Sequence, residues 1–145
     1  MIEIDTEEAL SESEVDVLVH KVNAQNEEIL TNFSEYLKES GLTPKTIEKH
    51  LENIDFYINT YLLYYEIQSP HQGYDALDDF FTAFFPRKAM WSSANSVKEN
   101  ITSLKKFYKY LNELNLISNE ELKEMTSMIK QDKETWMSLY DDEVD

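Results

Sequence analysis

The chain has no cysteine, which excludes both a disulfide framework and a thiolate metal site. It has two glycines and three prolines in 145 residues, so tight turns are few and helices are favoured. Arg87 is the only arginine. No apolar run approaches the roughly eighteen residues of a membrane span, and no basic start precedes an apolar segment at the N-terminus. Neither a span nor a signal peptide is expected, no membrane partner is expected, and the expected location is the cytoplasm. Glycine-rich phosphate loops and a Gly-x-Ser-x-Gly elbow are missing, so no cofactor is expected. His20, His50 and His71 are too far apart in sequence to form a ligand pair on one helix face, so no metal is expected. Asp78-Asp79 and Asp141-Asp142 are adjacent acids that point to different sides and make no general acid–base pair. No enzymatic activity is expected.

Apolar residues make up 41% of the chain, with nine tyrosines, seven phenylalanines and two tryptophans, enough for a substantial core. The length favours one domain. The net charge is −16, and it is unevenly distributed. Residues 1–40 hold eleven acids against two bases, and residues 119–145 hold nine against three, whereas residues 41–118 are nearly balanced at nine against eight. Acidic ends keep a protein soluble, repel nucleic acid or meet a basic partner.

Phe33 to Leu62 organises the rest. Gly41 suits the left-handed end of one helix. Thr43 suits the cap of the next, with Pro44 at its first position and Leu42 and Ile47 as a staple. Upstream, residues 1–10 read as a flexible acidic leader, with Ile2 and Ile4 as a possible extended piece. Ser11 and Glu14 have capping-box spacing, and the stripe Val15, Leu18, Val19, Val22, Ile29, Phe33, Tyr36, Leu37 predicts helix to about residue 39. The stripe weakens over Asn23–Glu28, which leaves one bent helix and two short ones both open. The second helix carries Ile47, Leu51, Ile54, Ile58, Leu62 and Tyr65, widened by Phe56, Tyr57, Tyr61 and Tyr64. Residues 67–74 read as a loop.

Asp75 is the expected cap of a short third helix with Leu77, Phe80, Phe81 and Phe84, which Pro86 should end at Phe85. These phenylalanines, Phe85 and Trp91 read as core. Ser92 or Ser93 starts a fourth helix with Val97, Ile101, Leu104, Phe107, Tyr108 and Leu111 inward and Lys98, Thr102, Lys105 and Lys109 outward, with Lys106 beside them. Ser118 and Glu121 form a second capping box before a last helix carrying Leu122, Met125, Ile129, Trp136 and Leu139 or Tyr140. Residues 141–145 are an acidic tail. The expectation is an all-α, compact bundle of four to six helices, a single domain over residues 11–140 with no necessary sheet.

The segments FSEYLKESGLTPKTIEKHLENIDFYI (33–58) and SSANSVKENITSLKKFYKYLNELNLI (92–117), with DDFFTAFF (78–85) between them, resemble the N-terminal core-binding domain of tyrosine recombinases, the phage integrase family. The resemblance covers roughly residues 28–118. It rests on the Gly-Leu-Thr-Pro-x-Thr corner and the Leu-x-x-Phe-x-x-Tyr-Leu ending of the fourth helix. It implies a SAM-like helical fold with an added acidic N-terminal region and C-terminal helix, and a role in DNA recombination without the family's catalytic domain. In that family the second and fourth helices lie against duplex DNA. Carried onto this chain, the contacts would be Lys45, Thr46 and Lys49, and then Ser93, Asn95, Lys98, Thr102, Lys105 and Lys109. Lysines neutralise phosphates, Thr and Asn bond to phosphates or base edges, and amides at the start of the second helix can receive a phosphate. The alternative is an acidic helical interaction or accessory protein that has lost DNA binding. Its partner would be a basic protein, or a second copy through the C-terminal helix, where Met125, Met128, Trp136, Met137 and Tyr140 suit an interface.

Overall fold

The structure, a computed structural model, describes residues 1–4, 10–89 and 92–140. Among these every regular element is helical and no strand occurs, so the chain is all-α. No helix among them is long and apolar enough to cross a membrane. The chain divides into two compact units, Met1–Gly73 and Tyr74–Asp145.

In the first unit, α1 (Glu12–Glu39) starts at Ser11. The Ser11 hydroxyl accepts from the Glu14 amide, and the Glu14 carboxylate accepts from the Ser11 amide at 2.8 Å. The helix is one continuous rod of about 42 Å. The weak point in its apolar stripe is Asn26, which is fully buried. Its Nδ2 donates to the Ile58 carbonyl at 3.3 Å and to Asn59 Oδ1 at 2.7 Å. A polar residue therefore interrupts the hydrophobic pattern without interrupting the helix, because a polar contact awaits it.

α1 ends as the sequence leads one to expect. Gly41 has φ +90, its amide donates to the Lys38 carbonyl, and the Leu42 amide reaches back to Leu37 O at 3.3 Å. Thr43 Oγ1 then accepts from the Thr46 amide and begins α2 (Pro44–Asp55), whose inner face buries Ile47, His50 and Ile54. A π-helical segment, Phe56–Tyr61, continues α2 and buries Tyr57, Ile58 and Tyr61. Each residue added to a turn rotates the following side chains off the α-helical register. The expected apolar side ran on to Tyr65, but Tyr64 and Tyr65 are 52% and 56% exposed, beyond the helix end at Leu62.

The segment expected to be only a loop holds a 3-10 turn, Pro70–Gly73. The Tyr57 hydroxyl fixes it by donating to the Gly73 carbonyl at 2.7 Å. Met1–Ile4 make contacts with this turn and with α1. The Ile2 amide donates to Gln25 Oε1 at 2.7 Å, Gln72 Nε2 donates to the Ile4 carbonyl at 3.1 Å, and His71 Nε2 pairs with Glu3 Oε2. Residues 5–9 of the leader and the tail 141–145 lie outside the described residues, as does Trp91.

The second unit begins with a composite helical run: α3 (Leu77–Asp79), a π-helical segment Phe80–Phe84, and α4 (Phe85–Lys88). Two expectations fail here. Asp75 is not the cap; Ala76 holds that position, and no side chain caps it. The helix also passes through Pro86, with Phe85 itself helical at φ −58 and ψ −45. The ladder changes step at this point. The Phe85 amide bonds five residues back to Phe80 O, and the Ala89 amide bonds four back to Phe85 O. Pro86 thus occupies the first turn of a new α-helical segment, where a missing N–H is tolerated.

α5 (Ala94–Glu113) starts at Ser93, and α6 (Asn119–Ser138) starts at Ser118 with the expected Glu121 box. Between them Asn115 takes φ 62, and the Leu116 amide bonds back to Leu111 O at 2.9 Å. α6 packs on α5 and α3. Phe80, Phe81, Phe84 and Phe85 are buried core, as expected. Trp136, also fully buried, lies 5.0 Å from the Phe81 ring and donates to Asp78 Oδ1 at 2.8 Å. The Tyr140 hydroxyl donates to the Phe81 carbonyl, and burial pushes its pKa up. Both effects oppose phenolate formation.

Three outcomes are expected. Gly41→Ala meets open space, so only its left-handed backbone is penalised; it should lower stability by about 1–2 kcal/mol, read as a lower urea midpoint at unchanged m-value. Trp136→Ala should cost about 3–5 kcal/mol in the same assay. The Ser11 amide holds the Glu14 carboxyl below its usual range, so the capping contribution is complete above the unfolded pKa and fades as pH falls through the lower folded value. Protection of the amides at the start of α1, taken relative to the intrinsic exchange rate at each pH, should fall toward about pH 3, and Glu14→Gln should flatten that dependence.

Candidate nucleic-acid interface

The nine sequence-derived contact residues are all exposed, three on or beside the start of α2 and six along α5. The two groups fall in different units, and their chemistry differs.

At α2, the helix start offers fewer open amides to an anion than its sequence suggests. Pro44 has no N–H, and the Thr46 amide is taken by Thr43 Oγ1 at 3.3 Å. Of the first three helical positions, only Lys45 keeps an open amide. The Thr46 hydroxyl oxygen accepts from Thr43 at 3.0 Å. Lys45 and Lys49 stand one turn apart, and among the described residues neither forms an ion pair. α2 nevertheless carries Glu48, Glu52 and Asp55 against its two lysines. Glu48 and Glu52, within a turn of Lys49 on the same helix, reduce the attraction for phosphate.

At α5, the N-terminal groups serve the helix itself. Ser93 Oγ accepts from the Ser96 amide at 3.1 Å, and Ser96 Oγ accepts from the Ser93 amide at 2.7 Å. Asn95 Nδ2 donates to Glu99 Oε2 at 3.3 Å, and Thr102 Oγ1 donates to the Lys98 carbonyl at 3.2 Å. Beyond this cap, Lys98, Thr102, Lys105 and Lys109 follow i, i+4, i+7 and i+11 spacing. At 100° per residue they occupy a sector of about 60° and a length of about 16 Å. The three lysines have no ion-pair partner among the described residues. α5 carries four lysines against two glutamates, whereas α1 carries two lysines against seven acids and α6 three against five. The opposite face of α5 buries Val97, Ile101, Leu104, Phe107, Tyr108 and Leu111, so the lysine face cannot rotate inward.

Two features escaped the sequence reading. Arg87 and Lys88 sit in the last turn of α4, where cations suit the helix dipole, and Arg87 Nε donates to Ala83 O at 3.1 Å. The other is a cleft of about 460 Å³ between α1 and α2, lined by Glu27, Leu30, Thr31, Ser34, Glu35, Leu51, Glu52 and Asp55. Its α1 side has i, i+3, i+4, i+7, i+8 spacing, a pattern that was available in the sequence beside the main stripe.

Comparison with protein-family models, curated proteins and solved structures returned no match.

Lys105 and Lys109 repel each other at i, i+4, a cost of a few tenths of a kcal/mol. Lys105→Glu should turn this into a favourable pair and raise stability by about 0.5 kcal/mol, with the gain shrinking at high salt. Urea midpoints at two salt concentrations would check it.

Proposed function

We propose that the chain is a non-catalytic, integrase-like core-binding module that holds duplex DNA chiefly through the Lys98, Thr102, Lys105 and Lys109 face of α5. Lys45 and Lys49 of α2 supply secondary phosphate contacts. The observation that carries this reading is the exposed, unpaired lysine stripe on a net-positive helix in a chain of charge −16. Of the two acids of α5, Glu99 lies about 60° beyond the edge of the stripe, and Glu113, four residues after Lys109, stands at its C-terminal end. The SAM-like arrangement implied by the integrase resemblance belongs to the same proposal, as does a cytoplasmic location, where such a protein meets DNA. Thr46, Ser93 and Asn95, tied into caps and local bonds, serve as positioning groups in this reading.

The three lysine contacts of α5 alone release roughly three counterions, which gives a negative log–log salt slope of at least about 2.7 in magnitude and roughly a 40-fold or greater loss of affinity between about 50 and 200 mM salt. The acidic segments repel DNA and keep the affinity modest. Fluorescence anisotropy with mixed-sequence duplex DNA at these two salt concentrations tests the proposal. The wild type should bind at the lower salt, and the folded double variant Lys98→Glu, Lys105→Glu should lose binding. Unchanged binding by that variant, or no binding by the folded wild type, overturns the proposal.

A further inference from the structure

We propose that the cleft between α1 and α2 of the first unit docks a basic amphipathic helical segment of another protein. Its floor holds Leu30 and Leu51, both half-buried, and its edges carry Glu27, Glu35, Glu52 and Asp55, all exposed. No lysine or arginine lines it. The carboxylates of Glu27, Glu35 and Glu52 have no hydrogen-bond or ion-pair partner among the described residues, and Asp55 accepts only from Asn59 Nδ2 at 2.7 Å. An apolar floor between two acidic walls selects an occupant with an aliphatic or aromatic row flanked by cations. From Glu27 to Glu35 the α1 wall spans about 12 Å, room for two to three turns of a docked helix.

Other occupants fit less well. DNA is repelled by four carboxylates. The acids are strung along both walls, and no group of three or more that could hold a metal ion occurs among the described residues. A second copy of this chain brings another −16 of charge. Its one lysine-rich long helix, α5, keeps its apolar residues buried in its own unit and has none to offer the leucine floor. A basic partner of different sequence satisfies both the walls and the floor. The cleft is independent of the α5 face, so either proposal can fail alone.

The test uses the full chain and a synthetic helical peptide with lysines flanking a leucine row at i, i+4 and i+7. A peptide of the same composition, scrambled to abolish the leucine row, is the control. Backbone amide NMR shifts at about 150 mM salt are the readout. Binding of the first peptide should shift Leu30, Ser34 and Leu51, and the scrambled peptide should bind more weakly. The triple variant Glu27→Gln, Glu35→Gln, Glu52→Gln should lose roughly tenfold in affinity. An equally neutralised variant of α6 (Glu120→Gln, Glu124→Gln, Glu134→Gln) should stay within about twofold. Equal losses in both variants, equal binding of both peptides, shifts spread over the acidic helices, or no binding at all overturns the proposal. DNA titration of the cleft variant should show binding at least as tight as the wild type, because Glu52 no longer opposes phosphate beside Lys49, so a loss of peptide binding is separated from the fate of the α5 reading.

Discussion

Each unit depends on a helix that stops at a defined residue. At the end of α1, Gly41 enters the left-handed region and allows the Leu42 amide to bond back to Leu37; at the end of α5, Asn115 does the same for Leu116 and Leu111. A hydroxyl follows each reversal, Thr43 or Ser118, and caps the next helix. Two residues placed in an otherwise uncommon backbone region thus set where α2 and α6 begin, and so which of their faces meet the preceding helix. α6 then delivers Trp136 to Phe81 and Asp78. α2 delivers Tyr57 to the Gly73 carbonyl.

Charge is sorted among the helices as firmly as hydrophobicity is sorted between their faces. α1 and α6 are acidic, α2 is close to balanced, and α5 is basic. Separation of this kind has a physical cost, because grouped like charges repel, as Lys105 and Lys109 do. A sequence under no constraint beyond solubility gains stability by mixing signs at i, i+4. Lys98 and Lys105 have no acid four residues away, and neither Glu27 nor Glu35 has a base there; this shared property makes the lysine stripe and the acidic cleft the two surfaces of interest.

The parts that were legible in sequence are those with a residue-specific signature. Gly41, Thr43–Pro44, Ser11–Glu14 and Ser118–Glu121 each have a backbone requirement that few residue types meet, so their positions could be read directly. The lysine stripe was legible because helical spacing alone groups it. The π-helical turns were not, because no residue type marks a bond five positions back, and the passage through Pro86 follows from one of them; Tyr65 was misplaced because the helix stops at Leu62 with no glycine or proline to mark its end. Asn26 was illegible for another reason: its role depends on Asn59 and Ile58, more than thirty residues away. Likewise, the engagement of Thr46, Ser93 and Asn95 in local bonds changes their chemistry without changing their spacing.

The attachment of Met1–Ile4 to the Pro70–Gly73 turn has a kinetic consequence. The Glu3–His71 and Ile4–Gln72 contacts span 68 positions each, and Met1 Sδ accepts from the His71 amide across 70. The helix corners close over a few residues and can form within microseconds, whereas these ties require closure of a loop nearly as long as the first unit itself. The corners are therefore local contacts, while the N-terminal ties add pairings of high sequence separation to the first unit. The Ile2–Gln25 bond needs only α1, whereas the ties of Met1, Glu3 and Ile4 need the chain to have grown past Gln72.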